Sequence, residues 1–177
     1  MKCSFVIPTY NCVAFLAHAI KSCLNQIYTN IEVVVVDDFS QDSTKELLGF
    51  YLKHDKRVKA IFNPKNLGRS VSRNIGNQAA QGEIICVLDA DDYNHHNRAK
   101  LTVDKFKEGA EMVYGSAEVM GALGEKIGEL RADVFDKEKA LETLENRIVH
   151  SSLAYSKEIA TRFPYREEFS ALGLDDW

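Results

Sequence analysis

The stretch "IEVVVVDD" (Ile31 to Asp38) constrains this chain most. Four consecutive valines leave no polar residue to turn toward water. Their β-branched side chains favour a strand over a helix. A strand that is apolar on both faces needs a sheet covered on both sides, as in the parallel sheets of α/β proteins. The run then ends in two carboxylates, Asp37 and Asp38.

The neighbouring segments extend this pattern. "CSFVIP" (Cys3 to Pro8), "VKAIFN" (Val58 to Asn63), "IICVL" (Ile84 to Leu88) and "EMVYGS" (Glu111 to Ser116) read as further strands. Helical spacing fills the intervals. Asn11 is a candidate cap for a helix with Val13, Leu16, Ile20, Leu24 and Ile27 on one face. Ser40 or Asp42 is placed to cap a second, which carries Leu47, Leu48, Tyr51 and Leu52. Arg69 to Ala80 predicts a third, with Val71, Ile75 and Ala79 at four-residue spacing and Gly82 as its left-handed terminator. Arg98 to Lys107 predicts a fourth. Alternation of this kind means βαβ units and a parallel sheet. After Ser116 the pattern changes: a hairpin turning at Gly124 or Gly128, a helix from Lys137 to Arg147, and a strand from Ser151 to Ser156. This less regular half is expected to cover one end of the sheet.

Composition narrows the classes. At 177 residues, 45% hydrophobic and 27% charged, the chain suits one globular domain with a real core. A net charge of −4 and a pI of about 5.7 argue against a nucleic-acid binder. No apolar run approaches the roughly 20 residues of a membrane-spanning helix. The N-terminus lacks the features of a signal peptide. Cys3, Cys12, Cys23 and Cys86 form no CxxC pair, and two lie in predicted strands. A reduced cytoplasmic protein with buried thiols is expected.

In open α/β sheets, ligands bind outside the carboxyl ends of the strands. Here those ends read "PTYN" (Pro8 to Asn11), Asp37–Asp38, and Asp89, Asp91 and Asp92 of "VLDADD". If the strands are parallel, these carboxylates share one rim and repel one another. A divalent cation resolves the conflict, since Mg²⁺ and Mn²⁺ take one or two carboxylates plus substrate phosphates. Asp89 and Asp91 point the same way if the strand stays extended, while Asp92 enters the turn. A lone aspartate here would read as a solvated turn; the cluster reads as a metal site. A calcium loop of the EF-hand type fails at Tyr93, Asn94 and Lys100. Arg69 and Arg73 share a helix face. Two readings stand for Arg73: a structural ion pair, or a contact to the ligand or the aspartates. The first turn, "PTYNC", has no glycine. That disfavours nicotinamide binding and argues against a nucleotidyltransferase.

"FVIPTYN", "VVVVDDFSQDST", "NLGRSVSRNIGNQAAQGEIICVLDADD" and "GLDDW" together resemble a family-2 glycosyltransferase of the GT-A fold. The resemblance covers nearly the whole chain and is strongest from Cys3 to Arg98. It implies an α/β, Rossmann-like, mostly parallel sheet flanked by helices. It also implies one compact domain, with a donor-binding half over residues 1–116 and a smaller acceptor-side half over 117–177. The implied activity moves a sugar, with inversion, from a nucleotide diphosphate donor to the hydroxyl of a glycan or lipid-linked acceptor. UDP is favoured as the family's commonest donor, and Mn²⁺ or Mg²⁺ as cofactor.

By the same resemblance, Pro8, Thr9 and Tyr10 match the turn that packs on the donor base, and Asp38 the acid that hydrogen-bonds it. Helix capping is the other reading of Asp37 and Asp38. Arg73 matches a family arginine. Asp89, Ala90 and Asp91, extended by Asp92, match the DXD motif. Asp91 or Asp92 would be the main metal ligand, with Asp89 as a further carboxylate of that set. Asp176 matches the general base, with Asp175 as the alternative. His150 is expected to be structural, and His95 and His96 to line the rim. The setting implied is the cytoplasm or the inner face of the membrane. The sequence stops one residue after Asp176, where the family usually continues. A nucleotide-binding module without turnover is therefore an alternative, with a nucleotidyltransferase behind it.

Overall fold

The computed structural model describes residues 1–121, 123–134 and 148–168. The strands are β1 (Cys3–Thr9), β2 (Ile31–Asp37), β3 (Val58–Phe62), β4 (Ile84–Val87), β5 (Met112–Val113), β6 (Ala117–Met120), β7 (Lys126–Leu130) and β8 (Ala154–Ser156). The helices are α1 (Val13–Leu24), α2 (Thr44–His54), α3 (Arg69–Ala79), α4 (Arg98–Lys107) and α5 (Lys157–Arg162), with a 3₁₀ turn at His150–Ser152. The main sheet runs β3-β2-β1-β4-β8-β5. The first four strands are parallel; β8 is antiparallel to both β4 and β5. The β6–β7 hairpin is a separate sheet.

The valine run behaves as its composition demands. Val33, Val34, Val35 and Val36 are fully buried. Val33 and Val35 join Phe5, Ile7, Leu16, Ile20 and Leu48 on one face of the sheet; Val34 joins Val6, Ile85 and Val87 on the other. Burying each valine contributes about 1.5 kcal/mol. The register of β1 on β2 runs Cys3↔Ile31 through Thr9↔Asp37; a one-residue slip inside the run exchanges valine for valine, so the pairing is fixed at its ends, where Ser4 Oγ donates to Glu32 (2.6 Å) and Asp38 N to the Thr9 carbonyl (2.8 Å).

Several local expectations are corrected. Helix α3 does not bury its Val71–Ile75–Ala79 stripe. It buries Ser70, Ser72, Arg73, Gly76 and Asn77. The reason is close approach: a Cβ on Gly76 would come within 2.4 Å of Val6 Cγ1 and 3.2 Å of Val36 Cγ2. Gly82 is not left-handed, since Ala80 leaves α3 in an extended conformation. Glycine is needed there because a Cβ would meet the Lys2 carbonyl at 2.4 Å. Asn11 does not cap α1. Asp42 does so from across the turn, accepting from Val13 N (3.0 Å) and also from Thr44 N at the start of α2 (3.1 Å). The strand predicted over 111–116 shortens to two residues. The stretch predicted as a strand from Ser151 divides into the 3₁₀ turn and β8, and β8 enters the main sheet. The predicted 137–147 helix lies outside the described residues.

Candidate active site

The parallel strands end on one rim, and the turns leaving β1, β2 and β4 carry the predicted residues. Thr9 and Asp37 are register partners. Asp38 N donates to the Thr9 carbonyl (2.8 Å), Asn11 N to Ser40 Oγ (2.9 Å), and Gln41 N to Asn11 Oδ1 (2.7 Å). The first two turns are therefore bolted together. Pro8 and Thr9 are buried, while Tyr10 stays about half exposed.

Asp38 is 4% exposed and organises the entry to α3. Its Oδ1 accepts from Asn63 Nδ2 and Leu67 N, and its Oδ2 from Gly68 N, each at 2.8 Å. Gly68 sits at φ 88, which a glycine adopts without strain. Asp37 accepts from Ser40 N (3.2 Å) and holds its own turn. Carboxylate oxygens have spare lone pairs, so Asp38 can still accept from a ligand.

The fourth-strand turn starts earlier than expected. Strand β4 stops at Val87, and Asp92 N donates to the Asp89 carbonyl (3.2 Å). The extended backbone that would align Asp89 with Asp91 is absent, because Asp89, Ala90, Asp91 and Asp92 form a tight turn. The three carboxylates have different surroundings. Asp89 is partly buried and accepts from the Arg73 guanidinium at 2.8 Å. Burial alone would raise its pKa, but Arg73 outweighs that and holds it below the usual range. Asp91 and Asp92 are exposed at the rim. Desolvation first, then the charges of Asp89 and Asp91, push the Asp92 carboxyl upward.

Among the described residues, no group of three or more His, Cys, Asp or Glu side chains converges to hold a metal. The donor chemistry still fits Mg²⁺ or Mn²⁺. Those ions need only one or two carboxylates when phosphates and water complete the shell. Asp91 and Asp92 are exposed carboxylates on that turn and are the oxygen donors such an ion would take.

Several supporting residues escaped the sequence reading. The Ser151 hydroxyl accepts from Asp89 N (3.3 Å) and hydrogen-bonds the Asp92 carboxyl. Arg98 donates to the carbonyls of Val87 (2.9 Å) and Leu153 (3.0 Å) and to Asn94 Oδ1, tying β4 to β8. A basic residue at the first position of a helix opposes the helix dipole, and that was the available signal. Tyr165 lies under the Arg73 guanidinium, 5.5 Å from ring centre to Cζ, and bonds His150 Nε2 through its hydroxyl (2.9 Å). The His150 ring packs edge-on against Tyr165 (5.7 Å between centroids), close enough to Asp89 to favour that carboxylate's charged form. His95 and His96 are exposed, with their rings 4.1 Å apart. Arg69 is exposed on the first turn of α3. Asp175 and Asp176 lie outside the described residues.

The family model "Glycosyl transferase family 2" matches residues 4–155. The chain belongs to this family. It is 46% identical over 90 residues to an uncharacterized glycosyltransferase of Haemophilus influenzae, covering 51% of this chain and 36% of that protein. It is 34% identical over 137 residues to the Campylobacter jejuni protein named GalNAc(5)-diNAcBac-PP-undecaprenol beta-1,3-glucosyltransferase, covering 77% of this chain and 43% of the relative. Two solved structures share the fold. S. aureus TarS 1–349 in complex with UDP superposes with a TM-score of 0.74 at 23% identity, covering 97% of this chain and 52% of that one. The mannosyltransferase PcManGT from Pyrobaculum calidifontis, in complex with GDP-Man and Mn²⁺, gives 0.69 at 19%, covering 99% and 49%. This family-2 chain thus has the expected GT-A architecture and spans about half or less of each of these proteins.

Proposed function

We propose that this chain transfers a sugar from a nucleotide diphosphate donor to an acceptor hydroxyl, with inversion at the anomeric carbon. One observation carries the reading. Thr9–Tyr10, Asp37–Asp38 and the Asp89–Asp92 turn leave parallel strands on one rim, with Arg73 fixed against Asp89. Tyr10 stacks on the base and Asp38 accepts from its edge. Pro8 and Thr9 shape that turn, and Ala90 lets the donor lie close to the backbone. Asp91 and Asp92 hold the cation, with Asp89 oriented behind them by Arg73. Bound there, Mn²⁺ or Mg²⁺ supplies positive charge for the departing nucleoside diphosphate. Asp176 takes the proton from the acceptor oxygen, with Asp175 as the alternative base.

UDP is the preferred donor nucleotide because it is the family's commonest, and TarS is a fold neighbour that binds it. A lipid-linked or glycan acceptor agrees with the undecaprenol in the Campylobacter relative's name. Such an acceptor would bring the chain to the inner face of a membrane, although no helix among the described residues is long and apolar enough to cross one.

Calorimetry with UDP and GDP, with and without Mn²⁺, followed by a donor-hydrolysis assay, tests the reading. Metal-dependent binding with turnover supports it. Binding without turnover favours a nucleotide-binding module. No binding of either nucleotide removes both.

A further inference from the structure

We infer that Phe39 forms, with Tyr10, an aromatic platform for the nucleobase of the donor. The inference rests on the donor-site reading above and adds a residue to it. Among the described residues, Asn11 (φ 49) and Phe39 (φ 70) are the non-glycine positions with positive φ. Both stand in the two turns that follow β1 and β2. Left-handed backbone is costly for a bulky side chain and persists where the surroundings impose it, often at ligand sites.

Asn11 has a local reason for its conformation. Asparagine tolerates it, and the Asn11 side chain accepts from Gln41 N at 2.7 Å. Phe39 has no polar group to gain such a bond. Its ring is not sunk in the core either, being 47% exposed. The backbone around it is held firmly. Asp37 Oδ1 accepts from Ser40 N at 3.2 Å, and the Phe39 carbonyl accepts from Gln41 Nε2 at 3.0 Å. The chain thus maintains a strained turn whose visible product is a ring presented at the rim.

The neighbours say what the ring meets. Tyr10, 49% exposed, leaves the adjacent strand end. The two turns are joined by Asp38 N on the Thr9 carbonyl (2.8 Å) and Asn11 N on Ser40 Oγ (2.9 Å), and two half-exposed rings on adjoining turns suit a flat ligand. The turn of Asp89 to Asp92 leaves β4, two strands from β2 in the order β2-β1-β4. Neighbouring strands are spaced about 4.8 Å apart, so the strand end carrying Phe39 stands roughly 10 Å from that turn and the one carrying Tyr10 roughly 5 Å. A ribose and its phosphates bridge that span, which places the base, rather than the sugar, over Phe39.

Stacking tolerates any base, so losing the ring weakens UDP and GDP alike. Calorimetry with each nucleotide and Mn²⁺ tests this on the whole chain. Phe39→Gly suits the left-handed backbone and keeps the fold, which a thermal melt without nucleotide checks. It lowers affinity for both nucleotides about ten-fold. Phe39→Leu keeps apolar bulk without a flat face and loses a similar factor. Phe39→Tyr keeps the face and stays within about two-fold of the parent chain. Wild-type affinity in Phe39→Leu overturns the platform, as does an equal loss in Phe39→Tyr. A parent chain that binds neither nucleotide instead overturns the donor-site reading, and the platform with it.

Discussion

The Arg73 guanidinium, 1% exposed, donates to Asp89 Oδ1 at 2.8 Å across the gap between α3 and the turn after β4. Tyr165 covers its other side at 5.5 Å. Removing one partner of a buried pair leaves an uncompensated charge, which costs about 3 kcal/mol. Arg73→Met should lose that much in urea unfolding. The pH dependence follows from Asp89, whose folded pKa is held below the ordinary 3.8. A depressed carboxylate adds stability above its unfolded pKa and loses it as pH falls through the folded value. Arg73→Met abolishes that contribution, so its stability should fall less steeply than the parent's below about pH 4.

At the opposite end of the sheet, Glu32 is 1% exposed and accepts from Ser4 Oγ (2.6 Å), Gln81 N (2.5 Å), Lys59 Nζ (2.8 Å) and Lys2 Nζ (3.1 Å). Burial works against its charge, but these donors outweigh burial and lower its pKa from 4.5 to about 2. Its contribution is complete above pH 4.5 and fades as pH falls toward about 2. The shift corresponds to about 3 kcal/mol. Glu32→Gln should flatten the acid limb of the unfolding curve over that window. A variant with an unchanged acid limb would show that Glu32 titrates normally.

What was legible in the sequence was local. The valine run, the aspartates at strand ends and the βα alternation each declare themselves within a few residues. What was not legible depends on chain segments far apart. Ser151 reaches Asp89 across 62 residues and Tyr165 reaches Asn74 across 91, so no spacing rule foresees either. The buried face of α3 is hidden from the sequence for a related reason. Its apolar stripe promised one packing, but the approach of Gly76 to Val6 and Val36 imposes another and buries Arg73 beside Asp89. Gly76→Ala tests that contact. A methyl 2.4 Å from Val6 Cγ1 overpacks the layer and should cost about 2 kcal/mol in urea unfolding. An unperturbed variant would mean that α3 stands further from the sheet.

Asp91 and Asp92 stand open at the rim while Asp89 is occupied by Arg73. Metal dependence should therefore follow the open pair. Asp92→Asn and Asp91→Asn should each weaken Mn²⁺-dependent UDP binding by about ten-fold or more, since losing even a residue that only supports a metal ligand costs about 10- to 100-fold. EDTA should erase the UDP-induced rise in melting temperature of the parent chain. A rise that survives EDTA would show that the nucleotide is held without the cation.

The base tests chemistry apart from binding. If Asp176 takes the acceptor proton, Asp176→Asn should lower kcat by 10²-fold or more, since general-base catalysis contributes about 10² to 10⁴. Its affinity for donor nucleotide should stay within about two-fold, because the base acts on the acceptor and not on the phosphates. Asp175→Asn should show the smaller loss in kcat. NMR of the product should report an inverted anomeric configuration, as a single displacement requires. A retained configuration, or full turnover in Asp176→Asn, removes the single-displacement mechanism with Asp176 as base. Donor binding would then still stand on the β1, β2 and β4 turns alone.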